Sequence, residues 1–168
     1  MRQWWLRGTP DSHIQDIYLK DLKTDLFWKD DMDGTKKSTP WVDRFDVSVL
    51  FYAVLANKAQ AVKDILALFD EHDCTRLLAW KISRKGAVEV GVPGYSTCLM
   101  GAMIFASPSI VIELLRNGAD THDTDAMGND AVMLACTVSR IDTIQTWFDK
   151  NPDWNVDRRN EMYGSTAL

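Results

Sequence analysis

The sequence predicts an all-α fold built from stacked helix-turn-helix units, and three observations predict it. The pattern that begins at Thr97 begins again 33 positions later, at Asp130. Within each unit, apolar residues recur at helical spacings of three and four, as in the pairs Ile110-Val111 and Leu114-Leu115, then Thr143-Ile144 and Trp147-Phe148. Helix punctuation stands where such units need it, with Ser107 and Pro108 at a helix start and Gly118 just past a helix end.

Taken in order, residues 1 to 10 are rich in tryptophan and close on the breaker Gly8-Thr9-Pro10. Ser12 and Gln15 read as a capping box that opens a helix at about 12 to 28, with Ile14, Ile17, Tyr18, Leu22 and Leu26 on one stripe. That helix either covers the end of the stack or binds a partner by itself, because a terminal repeat needs a polar cap. Lys29 to Pro40 reads as a solvated loop. Its Asp31-Met32-Asp33-Gly34 is no calcium loop. With Gly34 at the sixth position, Lys29 and Pro40 fall at the two ends, where a calcium site needs carboxylate oxygens.

Ser48 opens the first unit, whose apolar pairs are Ala61-Val62 and Ile65-Leu66. Asn57 occupies the turn between its helices and tolerates left-handed geometry. From Ser48 to Thr97 is 49 positions, about 16 more than the repeat, so an insertion lies at 73–93. Asp73 is the expected cap of a short helix there carrying Leu77, Leu78 and Ile82, and Gly86 to Gly94 reads as flexible or extended. An insertion of this length is either functional or tolerated. The second unit has helices at about Cys98 to Phe105 and from the Ser107 cap to Gly118. Ala106 lies at the turn position taken by Asn57 and Ser139, and would be strained there if its φ were positive. Helix pairs are therefore expected at 48–70, 97–117 and 130–150. Leu114 and Leu115 are expected in the core beside Ile110.

Thr97-Cys98-Leu99-Met100-Gly101-Ala102, followed by paired aliphatics and Gly118-Ala119-Asp120, resembles the ankyrin repeat. That family has a period of about 33 and the signature T-P-L-H-x-A, of which Thr97, Leu99 and Ala102 are kept while Cys98 and Met100 replace the Pro and His. The resemblance divides the chain into an N-terminal helical cap and polar loop at 1–46 and a repeat domain at 47–168. The repeats fall at about 47–72, 94–124 and 127–157. Gly164 to Leu168 reads as the opening of a further repeat, which leaves the C-terminal end of the stack short of a cap and prone to fray.

Composition and motifs bound the function. The 168 residues are 46% hydrophobic and 26% charged, ordinary for a globular chain. A net charge of -5 argues against nucleic acid. No window has the length and apolarity of a membrane helix, and Met1 to Arg7 has no apolar secretory core. With three cysteines and no disulfide framework, a cytoplasmic setting is the default expectation. No catalytic or nucleotide-binding motif occurs. His72 and Cys74 are two potential ligands, too few for zinc. No cofactor, metal or enzymatic activity is expected. Cys98 and Cys136 are expected in the core as small hydrophobes. Asp120, His122, Asp123, Asp125 and Asp130 gather around one inter-helix loop, read as a solvated turn or an acidic recognition tip.

The resemblance implies a protein-protein interaction module, expected as a monomer, that binds through its loop tips and the open face of each first helix. Mapped onto this sequence, the partner-binding residues are Ser96, Ile104, Phe105, Ala126, Met127, Asn129, Thr137 and Val138. The alternative is the N-terminal regulatory segment of a larger enzyme or ion channel.

Overall fold

The computed structural model describes residues 46–167, and the expected helix at 12–28, with the residues around it, lies outside them. The described residues form eight helices and no β-strand. They are α1 (Val49–Leu55), α2 (Ala59–Leu68), α3 (Glu71–Leu78), α4 (Arg84–Val90), α5 (Cys98–Phe105), α6 (Pro108–Arg116), α7 (Ala131–Thr137) and α8 (Ile141–Lys150).

Three helix pairs recur: α1 with α2, α5 with α6, and α7 with α8. The first helices pack in one layer, α5 lying against both α1 and α7. The second helices pack in another, α6 lying against both α2 and α8. Each first helix starts at an oxygen-bearing cap. The side chains of Ser48, Thr97 and Asp130 accept from the backbone N–H groups of Phe51, Met100 and Met133. Such caps satisfy donors that a helix start leaves unpaired.

Helix α5 is apolar all round, Cys-Leu-Met-Gly-Ala-Met-Ile-Phe, and only Phe105 is exposed. A helix with no polar stripe is stable only when covered on every side. Gly101 makes the closest cover possible, since a Cβ there would stand 3.0 Å from Phe51 Cζ. In the second layer Ile110 and Leu114 are fully buried, whereas Leu115, expected beside them, is only half-buried. Helix α6 ends in a Schellman motif. Gly118 takes φ 87, its N–H donates to Leu115 O, and Ala119 N–H donates to Leu114 O.

The turns correct two expectations. Asn57 and Ser139 take φ 55 and 57, but Ala106 takes φ -93 and carries no left-handed strain. Helix α5 runs to Phe105, and Pro108 forces Ser107 into an extended conformation, so the turn closes with extended residues. Ser107 occupies the N-cap position of α6 without a capping bond; its hydroxyl meets that of Ser109 at 2.9 Å.

The insertion is more helical than expected. Asp70, not Asp73, caps α3, its carboxylate accepting from Asp73 N–H. Leu77 and Leu78 are buried on α3, but Ile82 lies beyond it, in an extended segment paired with Tyr95 and Ser96. Gly86 sits inside α4, where its N–H donates to the Ser83 hydroxyl. Ala87 and Val90 supply the buried face, and Gly91 ends the helix at φ 75.

Two core substitutions test this packing. Leu114→Ala should cost about 2–5 kcal/mol. Gly101→Ala, which adds a methyl against Phe51, should cost about 1–3 kcal/mol. Urea unfolding midpoints measure both, and an unchanged midpoint would contradict the assignment.

Candidate functional site

The candidate interface follows the loops that precede each first helix and the C-terminal ends of those helices. Loop tips can carry a partner only if they are held, and here they are tied tip to tip. Ala126 N–H donates to Gly94 O at 2.8 Å, joining the second tip to the first. Asn160 Nδ2 donates to Met127 O and to Asn129 Oδ1, both at 2.6 Å, joining the third tip to the second. Each later tip is organised by a side-chain oxygen. Asp125 Oδ1 accepts from Met127 N–H and Asn129 N–H. Asn160 Oδ1 accepts from Met162 N–H and Tyr163 N–H. Gly128 lies between the two tips at φ 79, where a Cβ would meet Glu161 N at 3.0 Å. Only glycine fits that approach.

The helix ends are tied in the same way. Asn57 Oδ1 accepts from Ser107 N–H. Arg140 Nη1 and Nη2 donate to Ile104 O and Ala106 O at 2.7 and 2.6 Å, and Thr143 Oγ1 donates to Met103 O at 2.9 Å. A guanidinium at a helix C-terminus answers both its loose carbonyls and the negative end of its dipole. Asp142 holds Arg140 from the other side, and the Arg140 hydrogen bond keeps its carboxyl below the usual carboxylate range.

The sequence-derived site residues divide on this frame. Phe105 and Val138 are 44% and 46% exposed at corresponding ends of α5 and α7, and Met127 is 38% exposed on the second tip. Thr137 is exposed, its hydroxyl donating back to Met133 O. Ala126 and Asn129 are half-buried and serve the ladder between tips, Asn129 through Asp125 and Asn160. Ser96 and Ile104, expected on the open face, are buried. Ser96 is turned inward, its hydroxyl donating to Pro93 O and its carbonyl accepting from Ile82 N–H. Ile104 lies at the helix end that Arg140 covers.

The acidic loop is mostly structural. Asp125 and Asp130 are buried, Asp130 as the cap of α7. Asp123 pairs with Lys81 of the insertion at 2.7 Å. Asp120 accepts from His122 N–H. The thiols are equally quiet. Burial pushes Cys98 up to about 12, with the Ser48 hydroxyl pulling the other way. Burial also raises Cys74 and Cys136, the latter further through Asp130. Reactive thiols are found where a thiolate is favoured. Among the described residues no three potential metal ligands converge, and no helix is long and apolar enough to cross a membrane.

The C-terminal end of the stack was expected to fray from about 130 onward; the tail after Asp153 is folded against the last pair. Trp154 meets the buried Trp147 edge to face at 5.0 Å, and Arg158 lies over the Trp154 ring while its Nη2 donates to His122 O. The residues that sequence reasoning missed are the ties: Lys81, Arg140, Arg158 and Asn160. The one readable signal was the likeness of Asp125-x-x-Gly128 to Asn160-x-x-x-Gly164. Compared with known proteins, the chain matches no family model and no curated protein sequence.

Because Asn160 is buried and holds both its own turn and the tip before it, Asn160→Ala should cost about 1–3 kcal/mol. Hydrogen exchange should quicken at Met162 to Gly164 well before it quickens at 108–116. Unchanged exchange in the tail would mean that the ladder contributes nothing there.

Proposed function

We propose that residues 46–167 are an ankyrin-type repeat stack that serves as a protein-interaction module and has no catalysis of its own. What supports the repeat reading is the period of 33 in the sequence together with two layers of paired helices, tied from unit to unit at their turns by Asn57 and Arg140 and, from the second unit on, at their tips. The observation that carries the function is the exposure of Phe105, Val138 and Met127. Phe105 and Val138 are 33 residues apart and end neighbouring first helices. Exposed large apolar side chains, two of them recurring with the repeat, on backbone pinned by hydrogen bonds, are what an interface would use. Stacked repeats offer an extended surface without an enclosed cavity, which suits a protein segment better than a small substrate.

The proposal is tested by capture of partners from extract with the full chain, compared with a Phe105→Ser, Met127→Ser double variant. The variant should retain its far-UV helical signal and lose about ten-fold or more in capture, the scale of removing two central apolar contacts. A double variant that unfolds would assign these side chains to the core. A folded variant with unchanged capture would move the interface elsewhere.

A further inference from the structure

We propose that the outer edge of α8 is a second docking surface, separate from the loop tips, for an amphipathic helix whose apolar stripe is bordered by lysine or arginine. The edge is built from Ile141, Ile144 and Phe148, which fall on one side of α8 at about 100° per residue. Ile141 is 76% exposed, and Ile144 and Phe148 are half-buried.

Two earlier helices carry the matching positions. Thirty-three residues earlier, the positions of Ile144 and Phe148 are Val111 and Leu115 of α6, the helix that packs against α8; Val111 is fully buried and Leu115 half-buried. In the first pair they are Val62 and Leu66 of α2, the helix that packs against α6, and both are buried. At each earlier step the helix that carries these positions packs against the next second helix. On α8 the edge has no such helix among the described residues.

Charge selects the occupant. Asp142 and Asp149, seven residues apart, run along the exposed side of the stripe, with Gln145 between them. Lys150 lies roughly 100° further round from Asp149. Asp142 is already answered by Arg140. Asp149 accepts only a neutral donor, Gln145 Nε2 at 3.0 Å, so its charge is unspent. At the positions of Asp142 and Asp149, α6 carries Ser109 and Arg116. The acidic border therefore belongs to this edge and not to the repeat. An incoming helix with cations beside its apolar stripe gains both burial and pairing. A helix with acidic flanks, or a second copy bringing its own Asp149, meets like charge.

Two synthetic helical peptides with the same leucine stripe, one flanked by lysine and one by glutamate, serve as probes against the full chain with labelled isoleucine methyls. The lysine peptide should shift Ile141 and Ile144, leave the buried Ile110 in place, and bind about five-fold or more tighter than the glutamate peptide, with a preference that fades as salt rises. Asp149→Lys, a change at an exposed residue that leaves the Arg140–Asp142 pair intact, should abolish or invert that preference. Equal binding of the two peptides, indifference to Asp149→Lys, shifts that avoid Ile141 and Ile144, or self-association through this edge would each overturn the proposal. Because Phe105 and Met127 take no part, their double variant should bind the lysine peptide normally, which separates this edge from the tip interface.

Discussion

Everything in this structure depends on hiding α5. Its sequence offers no polar side to water, so folding must enclose it with α1, α6 and α7 together. Apolar burial is the dominant favourable term in folding and scales with the area hidden. A helix with no wet face concentrates that term in eight residues, and the arrangement around it follows. Gly101 lets Phe51 close one flank, and Ile110 and Leu114 are buried in the layer behind.

Enclosing a helix creates a second demand, because its end groups lose water as well. The C-terminal carbonyls of α5 find partners outside their own helix pair, in Arg140 and Thr143, and the N–H of Ser107 finds Asn57. The loops repeat the device, Asn160 supplying the tip that contains Met127. An unmet buried polar group costs more than a made hydrogen bond contributes, so each tie makes one helix pair conditional on the next. The exposed side chains of Phe105, Val138 and Met127 sit on that conditional frame.

How much of this could be read from the sequence depended on the range of the cause. Helix α6 was legible from end to end because Pro108 and Gly118 act locally, and the exposure of Phe105 and Val138 was legible because nothing in their units gives them a partner. The insertion was misread because Asp70 and Asp73 are equally good caps in one dimension, and because Gly86 looks like a breaker until Ala87 and Val90 are seen to need a helix. Ser96 and Ile104 were misplaced for a different reason. Their carbonyls are bound by Ile82 N–H and the Arg140 guanidinium, and no local pattern records a contact with a residue that far along the chain. The edge of α8 was half-legible: its apolar residues stand out, but their exposure emerges only by comparison with Val62 and Val111.

The Arg140 tie also has a direction in time. A chain is made from its N-terminus, and early parts begin to fold while later parts are still being added. Asn57 leaves the ribosome before Ser107, so the partner for that turn is waiting when the turn arrives. Ile104 and Ala106 emerge long before Arg140. During synthesis this wholly apolar helix therefore spends an interval with its far end unanswered and its α7 flank bare. That interval is the stretch of translation in which a growing chain of this sequence most needs shelter, and it closes when a single guanidinium comes into reach.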